Sequence, residues 1–163
     1  MNETQDTAAS FAETLHKEPI RHLHLPPPPS VTRETSLKET IGKMRENKYG
    51  AVLIFQADRL VGIFTERDVL MKLLGKNVDY GQPVERYMTP DPRVLGPDDS
   101  LIDAIQLMTE GNLRHIPIVD PDGCPVAMLG ARDLVDFIAE HFPAEVVNLP
   151  PRLHQTSISR EGA

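Results

Sequence analysis

A short run in the middle of the chain, Gly62-Ile-Phe-Thr65-Glu-Arg-Asp68, carries residue types that can hold a polar ligand. A strand-like apolar stretch precedes it and a helix-like stretch follows, and backbone N–H groups at the start of a helix are free to bind an anion. The Thr65 hydroxyl can donate a hydrogen bond to a phosphate or ribose oxygen. An ionised carboxylate only accepts hydrogen bonds, so Asp68 can accept from both hydroxyls of a ribose. The run is therefore a candidate ligand-binding site.

The same spacing also has a structural interpretation. Thr followed three residues later by an acidic residue is the pattern of a capping box, in which each side chain bonds to the backbone N–H of the other residue. Residues of these types are common at helix starts. Thr65 and Asp68 can therefore cap a helix, bind a ligand, or do both.

A related run, Ala127-Met-Leu-Gly130-Ala-Arg-Asp133, keeps the acidic residue and lacks the Thr. Asp133 can still accept from a ribose, and Gly130 lets the backbone approach a ligand closely. The hydroxyl contact is lost, however. We expect one competent site that involves Asp68 and a weaker or empty one at Asp133.

Basic residues near these runs are candidates for holding phosphate. Arg114 has the paired N–H donors that suit a phosphate group, and His115 adds positive charge when it is protonated. An ordinary surface ion pair is the alternative for both. Arg67 and Arg132 precede the two acidic residues and are open to the same interpretation, with a solvated position on a helix surface as the alternative.

The elements that must position these residues come from an internal repeat. Ser36–Phe55 aligns with Ser100–Val119 at an offset of 64, and Val61–Val69 aligns with Val126–Leu134 after a shift of one residue. Identical pairs in the alignment are Ser36/Ser100, Leu37/Leu101, Ile41/Ile105, Met44/Met108, Glu46/Glu110, Ile54/Ile118, Val61/Val126, Arg67/Arg132 and Asp68/Asp133. The chain therefore contains two copies of one unit of about 60 residues.

Each copy predicts the order helix, strand, strand, helix. Apolar residues at helical spacing follow Ser36 in the first copy and Ser100 in the second. Short apolar runs separated by turn residues predict the strands, and amphipathic stretches predict the closing helices. The predicted strands are Ala51–Phe55, Leu60–Phe64, Ile116–Val119 and Val126–Leu129, and the closing helices are Glu66–Leu74 and Ala131–His141. A turn-rich link around Met88–Pro92 is expected to join the copies.

At these stretches the sequence resembles the CBS-domain family, in which two such motifs form a tandem pair. The resemblance covers roughly Pro19–Phe142 and is carried by Tyr49-Gly-Ala-Val-Leu-Ile, Leu60-Val-Gly-Ile-Phe-Thr-Glu-Arg-Asp-Val-Leu, Val84-Glu-Arg-Tyr-Met-Thr-Pro and Leu113-Arg-His-Ile-Pro-Ile-Val-Asp. It implies an α/β fold of two tandem CBS motifs, each a small sheet with helices, related by a pseudo-twofold axis.

The resemblance also implies an adenosine-type ligand in a cleft between the motifs. Asp68 would hold the ribose, Thr65 would lie near the phosphate, and Arg114 with His115 would neutralise it. The backbone of the strand region Tyr49–Leu53, which contains Gly50 and Ala51, would border the base. Arg132 and Asp133 would belong to the second site.

The predicted organisation divides the chain into four segments. They are a polar N-terminal arm (1–18), a first CBS motif (19–80), a second CBS motif (81–143) and a C-terminal tail (144–163) that is expected to be disordered. The sequence predicts no attached enzyme or transporter domain within the chain.

Composition and charge exclude several classes of function. Seventeen basic residues against 24 acidic ones give a net charge of −7, which argues against a nucleic-acid-binding protein. A single cysteine, Cys124, forms no internal disulfide and is consistent with a reducing cytoplasm. No apolar run approaches the roughly 18 residues of a membrane span. His22 and His24 would share one face of an extended strand, but further metal ligands are not evident nearby.

These observations predict a regulatory module that binds AMP, ADP or ATP, acts without catalysis, and signals by a conformational or assembly change. S-adenosylmethionine is a less favoured ligand, because a cation gains nothing from Arg114 and His115. The alternative is a nucleotide-independent interaction module that forms a homodimer through the helices Glu66–Leu74 and Ala131–His141. Apolar residues left on those helix faces would need a partner.

Overall fold

The computed structural model describes residues 3–143, so the predicted C-terminal tail lies outside the described residues. The predicted N-terminal arm contains helix α1 (Glu3–Lys17), followed by a 3-10 turn at Ile20–Leu23. Leu15 near the end of α1 is buried, and Phe11 packs beside it against the core of the second copy.

The first copy of the repeat folds around a four-stranded sheet in the order β1-β2-β3-β4. Strand β1 is parallel to β2, whereas β3 is antiparallel to both β2 and β4. In chain order the elements are β1 (Ser30–Thr32), α2 (Leu37–Asn47), β2 (Ala51–Gln56), β3 (Arg59–Thr65), α3 (Glu66–Asp68), the π-helical turn Val69–Leu73 that continues α3, and β4 (Thr89–Pro90).

The second copy repeats this arrangement in reduced form. Its elements are α4 (Leu101–Gly111), β5 (His115–Val119), β6 (Pro125–Gly130) and α5 (Ala131–His141), with β5 and β6 paired as an antiparallel hairpin. A single parallel bridge from Leu95 to Ile118 stands where β1 meets β2 in the first copy.

The central strands are buried on both faces, which explains their continuous apolar runs. In β2, Val52 and Ile54 face the core of the first copy, whereas Leu53 faces the other way. Leu53 packs with Ile63 and with Met128 of the second copy, so that the two sheets share an apolar interface. This interface fixes the ends of β3 and β5 relative to one another.

Each copy is completed by the segment that precedes the other copy in the chain. Ile20 forms part of the core of the second copy, and its N–H donates to the Asp99 carbonyl (2.9 Å). Val84 forms part of the core of the first copy, and its N–H donates to the Thr35 carbonyl (2.8 Å). Packing therefore crosses between the two repeats. The boundaries 19–80 and 81–143 delimit the two repeats in the sequence. As limits of structural domains, they stay a prediction.

The α/β fold and the order of elements in each copy are confirmed, and four details differ. Strand β1 was not predicted, and the closing helix of the first copy continues as a π-helical turn. Two residues of the expected link, Thr89 and Pro90, form β4 and extend the first sheet. The extended strand expected at His22 and His24 is wrong, because His22 lies in a 3-10 turn and His24 is left-handed (φ 50°).

Candidate functional site

A cleft of about 260 Å³ opens between the two copies of the repeat. Its size is just below the range typical of small-molecule sites. The first copy and its following segment supply Gly50, Ile63, Thr65, Glu66, Arg67, Asp68, Leu70 and Thr89, and the second supplies Asn112, Leu113, Arg114 and His115. The structure thus brings together five of the predicted residues, which are Gly50, Thr65, Asp68, Arg114 and His115.

Thr65 and Asp68 form the capping box that begins α3. The Asp68 Oδ2 accepts from the Thr65 backbone N–H (2.8 Å) and from the Thr65 hydroxyl (2.9 Å). The Thr65 Oγ1 in turn accepts from the Asp68 N–H at 3.4 Å. The capping interpretation is confirmed, and the pair also lines the cleft.

The second oxygen of Asp68 is bound to groups outside the cap. Its Oδ1 pairs with the Lys72 ammonium at 2.7 Å and accepts from the Thr89 hydroxyl at 3.3 Å. The Asp68 side chain is only 7% exposed. A buried carboxylate needs such partners, because an unpaired charge is costly away from water.

Arg114 and His115 lie on the opposite side of the cleft, where β5 begins. Arg114 is exposed, whereas the His115 ring is packed near Gly50 and Gly130. Burial lowers the pKa of His115, and the nearby Arg114 acts in the same direction, while Glu66 and Asp133 partly oppose the shift. The imidazole is therefore largely neutral at pH 7 in the free protein, so its expected positive charge requires a lower pH or a bound anion.

Arg67 lines the cleft and joins its two sides. One of its guanidinium nitrogens, Nη1, donates to the Asn112 carbonyl at 2.8 Å, which links α3 of the first copy to the end of α4 in the second. Asn112 ends α4 in a left-handed conformation (φ 49°), which turns its carbonyl toward Arg67. A guanidinium binds an anionic oxygen more strongly than a neutral carbonyl. The Arg67 guanidinium therefore has the chemistry to exchange this carbonyl for an anionic group in the cleft.

Comparison with known sequences gives the family. The sequence model of the CBS domain matches residues 20–75 and 84–140, which together make up more than half of the chain. The chain belongs to the CBS-domain family.

Relatives and solved structures agree with this assignment. An uncharacterized 17.7 kDa protein of Acidianus ambivalens is 34% identical over 107 residues, which are 65% of this chain and 62% of that protein. The CBS domain-containing protein CBSCBSPB5 of Arabidopsis thaliana is 35% identical over 97 residues, which are 59% of this chain and 18% of its length. The chain thus spans less than two thirds of these relatives. The crystal structure of CBSX2 in complex with AMP is similar at 26% identity and a TM-score of 0.64, covering 76% of this chain and 97% of that one.

Three of the predicted residues lie away from the cleft between the CBS motifs. Ala51 is fully buried in β2 opposite Thr65, so it supports that residue from the core. Arg132 lies on the exposed surface of α5 and lines neither of the two clefts described here. Asp133 accepts from the Gly130 N–H at 2.7 Å as a helix cap and lines a second cleft.

The second cleft, of about 310 Å³, lies between α5 and the segment that follows α1. Its lining differs strongly in charge from that of the first cleft. Among the described residues, none of its lining side chains is a Lys or Arg, and the ionisable ones are Glu18, His22, His24, Asp133, Asp136, Glu140 and His141. Within residues 3–143, no group of three or more His, Cys, Asp or Glu side chains has a geometry that could hold a metal ion.

Sequence reasoning missed Thr89, Asn112 and Lys72. Thr89 lies in the stretch Val84-Glu-Arg-Tyr-Met-Thr-Pro that carries the family resemblance, but its position beside Asp68 depends on β4 pairing with β3. Lys72 lies four residues after Asp68, a spacing at which helical side chains meet, so this ion pair had a signal in the sequence.

No helix in the described part of the chain is long and apolar enough to cross a membrane.

Proposed function

We propose that this CBS pair is a regulatory module that binds an adenine nucleotide, AMP, ADP or ATP, in the cleft lined by Asp68 and Arg114. The observation that carries the proposal is the arrangement of this cleft. The Asp68 carboxylate, which can accept hydrogen bonds from a ribose, lies on one CBS motif. The Arg114 guanidinium, which can bind a phosphate, lies on the other. A ligand that spans both groups favours one arrangement of the motifs, and this is how binding becomes a signal.

Charge and similarity both favour a nucleotide. Arg67 and Arg114 line the cleft from opposite motifs, so an anionic ligand gains from both. CBSX2, which is similar over most of this chain, was solved in complex with AMP. S-adenosylmethionine stays the less favoured ligand because its sulfonium group is repelled by the same guanidinium groups.

Thermal unfolding tests this proposal. AMP, ADP and ATP at millimolar concentration are expected to raise the Tm by several degrees, because a ligand at 100 times its Kd stabilises by about 2.7 kcal/mol. S-adenosylmethionine and GTP serve as comparisons and are expected to give smaller shifts. A Tm that does not change with any adenine nucleotide contradicts the proposal.

Two pairs of variants locate the site. Arg114→Gln is expected to weaken AMP binding about tenfold or more, in line with a charge-assisted contact. Arg132→Gln makes the same change on the exposed face of α5 and is expected to leave the affinity unchanged. Asp68→Ala is expected to weaken binding, whereas Asp103→Ala, which removes the equivalent acidic residue from the capping box of α4, keeps it. Equal AMP affinities within either pair overturn the assignment of the site.

An assembly role is the second candidate function, and exposed apolar side chains favour it. Met71 is 69% exposed and Leu74 is 55% exposed after α3, and Val135 on α5 is 62% exposed. These are the helices expected to form a homodimer. Sedimentation equilibrium of Met71→Glu and Val135→Glu tests this role: a dimeric parent and monomeric variants support it, and a monomeric parent contradicts it.

A further inference from the structure

The hydrogen-bonding capacity of Asp68 is already filled in the free protein. A carboxylate offers about four acceptor positions. On Oδ2 they are taken by the Thr65 N–H at 2.8 Å and the Thr65 hydroxyl at 2.9 Å. On Oδ1 they are taken by the Lys72 ammonium at 2.7 Å and the Thr89 hydroxyl at 3.3 Å. A ligand hydroxyl that binds Asp68 must therefore displace one of these donors.

The two oxygens of Asp68 connect to different parts of the molecule. Both donors on Oδ2 belong to Thr65, within the helix cap. The donors on Oδ1 lead to the segment Tyr87–Thr89, which runs from the first CBS motif toward the second. Lys72 also donates to the Tyr87 carbonyl (2.6 Å) and the Met88 carbonyl (3.4 Å), so its ammonium group joins this segment to Asp68.

Thr89 is the donor that is easiest to displace. Its contact with Asp68 is the longest of the four, and it is a neutral hydroxyl, whereas Lys72 carries a charge. Thr89 also lines the cleft, so its hydroxyl can turn to water or to the ligand when it leaves Asp68. Its strand, β4, is only two residues long and pairs with Gly62 and Ile63 of β3.

We propose that Thr89 competes with the ligand for Asp68 Oδ1, and that its displacement loosens Tyr87–Thr89 and so transmits occupancy of the cleft to the segment between the motifs. Lys72 is the positioning residue that couples Asp68 to this segment. The inference rests on the proposed nucleotide binding and adds a mechanism by which binding changes the structure outside the cleft.

Calorimetry with AMP tests the competition. If Thr89 competes with the ligand, removing its hydroxyl group raises AMP affinity, whereas removing a hydroxyl group that binds the ligand would lower it. Thr89→Val removes the competing hydroxyl and is expected to raise AMP affinity about fivefold, the value of one net hydrogen bond. Thr109→Val is a matched control, since its hydroxyl bonds only to the Ile105 carbonyl on the exposed side of α4 and its loss leaves the affinity unchanged. An unchanged or lower affinity of Thr89→Val, with the parent binding AMP, overturns the inference alone. Failure of the parent to bind any adenine nucleotide overturns the proposed function and the inference with it.

Hydrogen exchange tests the coupling through Lys72. In the parent protein, AMP is expected to speed exchange of the Tyr87, Met88 and Thr89 amides. In Lys72→Met these amides exchange fast without ligand and AMP adds little, whereas Lys72→Arg restores the response. Slower or unchanged exchange of these three amides in the AMP-bound parent overturns the coupling.

Discussion

At the scale of single residues, burial determines the charge that His115 brings to the cleft. Burial lowers its pKa, Arg114 acts in the same direction, and Glu66 and Asp133 partly oppose the shift, with the Tyr49 ring 6.5 Å away. A bound phosphate favours the protonated imidazole, so binding takes up a proton. AMP affinity is therefore expected to rise as the pH falls from 8 through the pKa of the complex. Calorimetry across this range checks the rise. His115→Gln is the control for titration of the phosphate itself, and an equal pH dependence in this variant contradicts the role of His115.

Gly50 shows why a residue without a side chain matters in this cleft. A methyl group at this position would lie 3.1 Å from the Glu66 Oε2 and 3.2 Å from the His115 Cε1, closer than ordinary contacts. Gly50→Ala is therefore expected to push these side chains into the cleft and to weaken AMP binding several-fold. Gly42→Ala is the matched control, because the added methyl group meets nothing within 4 Å on α2. It is expected to raise the free energy of unfolding by about 0.5–1 kcal/mol and to leave binding unchanged. Equal affinities of the two variants would contradict a role for Gly50.

At the scale of elements, the capping boxes let stability be separated from binding. Ser100 and Asp103 begin α4 with the same reciprocal bonds that Thr65 and Asp68 form at α3, but Ser100 does not line the cleft between the motifs. Ser100→Ala is expected to lower the free energy of unfolding by about 1 kcal/mol without changing AMP affinity. Urea unfolding and calorimetry on the same sample check both parts. A loss of affinity in this variant would show that binding follows general stability.

An element was predictable where the signal that determines it lies within its own residues, and not where it depends on contacts with distant residues. Helix α5 begins and ends at the predicted residues, because its apolar spacing and the acidic residue Asp133 in its first turn are local signals. The capping pattern Thr65-x-x-Asp68 was equally visible in the sequence. Strand β1 was not, since three residues with one buried side chain carry little pattern and pair with β2 more than 20 residues further on. The neutral state of His115 was also beyond prediction, because its burial depends on packing between both motifs.

At the scale of the whole molecule, crossed packing joins the two motifs more closely than the repeat suggests. Ile20 completes the core of the second motif and Val84 completes that of the first. The segment that contacts Asp68 through Thr89 is continuous with Val84, so the displacement of Thr89 that we propose would act on the core of the first motif. The sequence reveals the repeat but not this exchange, since the exchange depends on backbone pairing between distant residues.

The two clefts described above, both within residues 3–143, differ in charge, and this difference predicts how many nucleotides bind. In the first cleft Arg67 and Arg114 lie beside two carboxylates, Glu66 and Asp68, whereas the second cleft is lined by the carboxylates of Glu18, Asp133, Asp136 and Glu140 and, among the described residues, by no Lys or Arg. Phosphate is therefore favoured in the first cleft over the second. We expect one AMP per chain by calorimetry, and Asp68→Ala is expected to leave no second site of similar affinity. Two equal sites in the parent would contradict the electrostatic argument. If Asp68→Ala still bound half as many AMP molecules as the parent, the remaining nucleotide would be assigned to the cleft beside Asp133 in spite of its acidic surroundings.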